Sequence, residues 1–216
     1  MGRLRNQLLL TLLLATIAAE RLSAQEIVDR IVVRIENDII LLSDMDALKR
    51  YQLFLDDKSE SDDKILDRLV DQWIVRTEAD VSHFPRPSEE EVQQSIERLE
   101  KSFRSKEEFE ARKKQYSLSD SELREMAALQ LYLSNYLDSR FRPAIQIDSK
   151  AIENFYLKEV VPRAKSRGQE PPSLDASRDS IQEALAQQGI NEQANQWLKE
   201  SRARLHIEKL LDEAAK

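Results

Sequence analysis

The chain has 216 residues and a formal net charge of −7, with no cysteine, two histidines and three glycines. This composition excludes disulfide frameworks and thiolate metal sites, and it speaks against glycine-rich phosphate loops, dinucleotide fingerprints and barrels built on many tight turns. The acidic balance speaks against nucleic acid and anionic lipid as partners.

Residues 1–24 read as a secretory signal peptide. Arg3 and Arg5 precede an uncharged apolar run from Leu8 to Ala19, and a short polar stretch ends in Leu22-Ser23-Ala24. A retained membrane anchor is the alternative, but the run falls short of the roughly 20 residues that a spanning helix needs. Without a cysteine there is no lipid attachment at the cleavage site. Loss of Arg3, Arg5 and Arg21 against Glu20 would take the net charge from −7 to −9. The expectation is an exported, periplasmic protein with no stable membrane insertion after cleavage, whose fold rests on its own core.

The stretch "DRIVVRIENDIILLSDMDALKR" follows. Apolar residues alternate at Ile31, Val33 and Ile35, Asn37-Asp38 interrupts them, and Ile39 to Leu42 resume, so a hairpin is predicted over residues 27–42. Ser43 with Asp46 predicts the start of a helix running to about Asp56, and the acidic "DDKSESDD" reads as a solvated loop. From Asp62 to Val81 a stripe at Leu66, Leu69, Val70, Trp73, Ile74, Thr77 and Val81 has the helical period. "HFPRPS" breaks that helix. Three serine caps then open three helices in succession, Ser88/Glu91, Ser105/Glu108 and Ser119/Glu122, the last reaching about Phe141 with a wide apolar arc. Pro143 ends it, and Asp148 caps a short helix through Ile152, Phe155 and Tyr156.

"VVPRAKSRGQEPP" has three prolines and no apolar period, and it reads as a linker over residues 161–173. Beyond it, Leu174 to Leu198 predicts a long helix whose phase shifts near Gly189, implying a bend or two helices. "RLHIEKL", Arg204 to Leu210, alternates as a short strand. An isolated hairpin is marginal in water. The closing strand is therefore expected to pair with the opening hairpin, giving a mainly α fold, a multi-helix domain with a small sheet formed by the N-terminal hairpin and the C-terminal strand. Residues 25–160 and 174–216 would complete one domain.

Candidate chemistry is sparse. His83 lies beside prolines and His206 in the closing strand, with no spacing that suggests a metal site or a general base, and nearly all the serines named above are explained as caps. The carboxylate runs suit helix N-termini better than a calcium loop. No catalytic residue, metal or cofactor is expected. The aromatic residues in the three capped helices are either core or an exposed apolar patch for transient peptide contact, and Phe103, Phe109, Tyr116, Tyr132 and Tyr136 are the candidates for the second role.

The pieces "IVDRIVVRIENDIILLSDMDAL", "KILDRLVDQWIVRTEA", "PSEEEVQQSIERL", "SKEEFEARKKQYSLSDSELREMAALQLYLSNYLDSRFRP", "IQIDSKAIENFY" and "ANQWLKESRARLHIEKL", in this order, resemble the amino-terminal domain family of SurA-type periplasmic chaperones. The resemblance implies ATP-independent binding of unfolded outer-membrane or secreted polypeptides. Members of that family usually insert parvulin-type prolyl isomerase domains after the short helix, where this chain has only the proline-rich stretch, so the resemblance implies a chaperone core without the enzyme. The other readings are a prolyl isomerase relative with residual or no activity, and a non-enzymatic assembly module, dimeric in one arrangement, for a single envelope partner.

Overall fold

The computed structural model describes residues 29–211, so the signal-peptide expectation over residues 1–24 lies outside the described residues. The chain divides into two units, Met1–Arg30 and Ile31–Lys216, and the fold is that of the second.

Strand β1 (Ile31–Ile35) pairs antiparallel with β2 (Asp38–Leu41) on one side and with β3 (Ile207–Lys209) on the other, giving the sheet order β2-β1-β3. The expected hairpin and its C-terminal partner are thus both present. The turn falls on Glu36-Asn37 rather than Asn37-Asp38, with Glu36 in the left-handed region at φ 52. Strict alternation in β1 fails for a local reason. The register shifts between Ile31 and Val33, and this bulge buries Val32 and Val33 together. The closing strand is shorter than Arg204 to Leu210, because Arg204 and Leu205 still bond back to Ser201 and Arg202 at the end of the preceding helix.

Helix α1 (Leu42–Asp56) begins one residue before Ser43, and its cap differs from the expected one. The Leu41 backbone N–H donates to Asp44 Oδ2 at 2.9 Å, so Asp44 closes the N-terminus. Helix α2 (Asp62–Val81) has the expected bounds. So does α5 (Asp120–Phe141), and α3 (Glu89–Ser102) and α4 (Lys106–Gln115) open at their expected caps; the hydroxyls of Ser88, Ser105 and Ser119 accept from the backbone N–H groups of Glu91, Glu108 and Glu122.

The linker expectation is corrected. After α6 (Ser149–Phe155) the helix widens into a π-helical segment, Tyr156–Val160, and continues as α7 (Val161–Ser166). Pro162 removes one helical N–H and crowds the carbonyl four residues earlier, and the wider turn relieves both problems, so the proline bends the helical pattern without ending it. Only residues 167–173 connect to α8 (Leu174–Arg202). Helix α8 runs uninterrupted past Gly189. A Cβ there would stand 2.9 Å from Ile145 Cδ1, so this glycine marks a close approach and not a break between two helices.

The largest apolar cluster gathers Val32, Val33, Ile35 and Ile40 of the sheet with Met45, Leu48, Ile65, Leu66, Val70 and Ile74, and Leu205 and Ile207 pack on it. Arg202 fastens α8 to α2 through Asp71 at 2.7 Å and Asp67 at 2.9 Å, while Lys209 of β3 reaches the same Asp67 at 3.0 Å. Burial works against the Asp67 anion, but these two cations outweigh it and hold its carboxyl below the usual range.

Candidate functional site

Helices α2 and α5 each bury one face in the core, and a second face of each borders an open groove of about 740 Å³. On α2 the groove face is Trp73, Arg76, Thr77, Asp80 and Val81, and on α5 it is Glu125, Ala128, Leu129 and Tyr132. Both sets follow the three-and-four spacing of a single helical face. Asp38 of β2 and the Arg86 to Val92 segment supply the rest of the lining. Val81, which the α2 stripe assigned to the core, is 76% exposed on this face.

The floor is aromatic, and its rings are buried beneath Arg86. Tyr132 is 1% exposed, and its hydroxyl donates to Asp80 Oδ1 at 2.7 Å. The Arg86 guanidinium sits 4.0 Å from the centre of the Tyr132 ring and reaches the same Asp80 oxygen at 2.8 Å. Burial, reinforced by the Asp80 carboxylate, pushes the Tyr132 phenol above its ordinary value, so it is a neutral donor at physiological pH. Phe84 packs beneath, edge-on to Tyr136 at 5.5 Å and tilted against Tyr132 at 5.9 Å.

The five aromatic candidates do not form one surface. Tyr132 and Tyr136 are buried at this floor, and Phe109 is buried at a separate corner with Phe54, 5.4 Å between ring centres. These three serve the core, because the packing of α2 on α5 and of α4 on α1 covers them, and this corrects their expected role as presented client surface. Phe103 and Tyr116 are half-buried at the same corner, where the Tyr116 hydroxyl donates to Asp57 Oδ1 at 2.7 Å. Arg112 closes that corner by donating to the backbone carbonyls of Phe54 and Leu55, both at 2.8 Å, and by pairing with Asp57.

Of the five candidates only Tyr132 lines the groove, whose other lining residues include Asp38, Trp73, Val81, Arg86, Glu125 and Leu129. A search for second helical faces would have found the α2 and α5 members. Asp38 carried no such signal, since only the tertiary fold brings the hairpin to Trp73, whose indole Nε1 donates to Asp38 Oδ2 at 3.0 Å.

A second cavity of about 500 Å³ lies against Tyr51, Leu55 and Gln52, and the Glu60–Arg68 pair is part of its wall. Glu60 accepts from Arg68 Nε and Nη2, both at 2.8 Å, and from Gln52 Nε2 at 2.8 Å. Those bonds, the one from Arg68 first, hold its carboxyl down to about 2. Among the described residues no group of three or more His, Cys, Asp or Glu could hold a metal ion. His83 sits in a turn at φ 54, and the His206 backbone N–H donates to Glu36 Oε1 at 2.7 Å, so each has a structural setting. The first groove offers an apolar floor flanked by fixed charges, which is chemistry for non-covalent capture of an extended chain. No protein-family model matches the sequence, and no curated protein matches it.

Proposed function

We propose that this protein is an ATP-independent periplasmic chaperone of the SurA-type core, holding unfolded outer-membrane or secreted polypeptides, with no prolyl isomerase activity of its own. The observation that carries the reading is the groove between α2 and α5, where Val81 and Trp73 stand at a wall, Leu129 lies opposite, and the whole trough is open to solvent. Shallow apolar contact spread along an open trough gives weak, sequence-tolerant binding that releases its client without a nucleotide cycle. The acidic surface, −7 over the chain, keeps protein and client from co-precipitating.

The test is light scattering of a denatured outer-membrane porin diluted into buffer with and without the protein, together with a prolyl-peptide isomerisation assay on the same sample. Suppressed scattering with no acceleration of isomerisation is the expected result. Scattering that is unchanged at excess protein would sink general holding activity and leave an assembly module for one partner as the reading to pursue.

A further inference from the structure

We propose that the groove prefers extended segments in which a basic side chain stands beside apolar ones, with Trp73, Asp38 and Glu125 forming the place for the cation. This rests on the peptide-holding reading above and adds a substrate class to it.

The inference comes from which charges of the lining are already neutralised. Asp80 is paired with Arg86 at 2.8 Å, and Glu89 with Arg124 at 3.3 Å. Asp38 is held by the Trp73 indole N–H at 3.0 Å, but a neutral donor positions the carboxylate without cancelling its charge. Glu125, on the opposite wall, has no ion-pair partner among the described residues. Arg76 is the single cation of the lining in the same condition, so the uncompensated charges are two carboxylates against one guanidinium.

The half-buried Trp73 lies in the same lining as both carboxylates, and its ring is anchored by the bond to Asp38. An indole with one carboxylate held at its edge and another in the same lining suits an ammonium or guanidinium group, which gains attraction from the ring quadrupole and from the anions together. Leu129 and Val81 offer apolar contact to the neighbouring residues of the same segment. An acidic segment meets repulsion from Asp38 and Glu125 in the same place, so the charges act against the wrong client as well as for the right one.

The experiment is fluorescence anisotropy with labelled, unstructured peptides that share a scatter of leucines and differ only in carrying lysine, glutamine or glutamate, titrated with the full chain at low and high salt. The lysine peptide should bind about tenfold more tightly than the glutamate peptide at low salt, with glutamine between them and the gap narrowing at high salt. In the Asp38→Asn/Glu125→Gln double variant, checked for an unchanged thermal unfolding curve, the ratio should fall below about threefold. Lys158→Gln, on the π-helical segment, should keep the full ratio. Equal affinity for the three peptides, a preference that survives in the double variant, or a ratio that also collapses in Lys158→Gln overturns the cation site. If the glutamine peptide binds and porin aggregation is suppressed without any charge preference, only this inference fails. If no peptide binds and aggregation proceeds unchecked, the holding function fails with it.

Discussion

Two aromatic clusters of similar make-up do different work in this molecule. At the corner of α1 and α4, Phe54 and Phe109 are enclosed with Phe103 over them, and Arg112 and Lys113 shut the outside by bonding to main-chain carbonyls and to Asp57, Glu110 and Asp120. Under the groove, Phe84, Tyr132 and Tyr136 pack as tightly, with Arg86 over the Tyr132 ring and Arg140 donating to the Tyr136 hydroxyl at 3.0 Å, but the space beside Arg86 is open. The aromatic residues decide where packing is dense. Both clusters are capped by cations, and what differs is the open groove that borders Tyr132.

Truncating each cluster would give the largest effects and separate the two roles. Phe54→Ala, at a fully buried position, should lose about 3–5 kcal/mol in urea unfolding, yet leave peptide anisotropy at the groove unchanged once the protein is folded. Tyr132→Ala should lose a similar amount and weaken peptide binding as well, because the floor goes with the ring. Equal binding losses in the two variants would mean that the clusters are not functionally distinct.

The two covering arginines should differ next. Arg112→Ala strips a charged donor from two carbonyls at the end of α1 and should lose about 2–3 kcal/mol by chemical denaturation. Arg86→Ala removes a surface ion pair and a ring contact, about 0.5–1 kcal/mol, but it uncovers Tyr132, so binding of an apolar dye at the groove should rise. No rise would place the Tyr132 ring out of reach even without its cover.

The smallest effect is electrostatic and lies outside both clusters. Glu60 is held to about 2 by Arg68 and Gln52, below its ordinary value, so its contribution to stability is complete above about pH 4.3 and is lost as pH falls from there through about 2. Because solvent reaches both partners, the change should be slight. Carboxyl NMR titration should place Glu60 near 2 in the native chain, and Arg68→Gln should return it toward the ordinary range.

Local grammar was legible in the sequence. The three serine caps, the bounds of α2 and the pairing of the opening hairpin with a closing strand all depend on short-range rules or on a strand that has only one partner to join. What escaped depended on contacts made from afar. Val81 fits the apolar period of α2, but the fold leaves it largely exposed. Gly189 looks like a breaker until Ile145 is seen against it. The stretch around Pro162 reads as a linker in the sequence, because one turn of wider helix cannot be anticipated from composition. The groove was the hardest part to read. Its two helical faces carry mixed residues that look like ordinary solvated surface, and Asp38 reaches it only through the sheet.

The pairing of Arg34 with Glu208 joins positions 174 residues apart, at the centre of a three-stranded sheet. Each helix between them can form from nearby contacts, but β1 has its second neighbour only after that whole length has been made. The domain therefore has high contact order at one decisive point, and joining its two ends is expected to set the pace of folding. A chain interrupted before β3 would hold nearly all its helices and still leave Val33 and Ile35 without the cover of Ile207. Such a fragment leaves one edge of β1 unpaired, and local opening there exposes it to proteases.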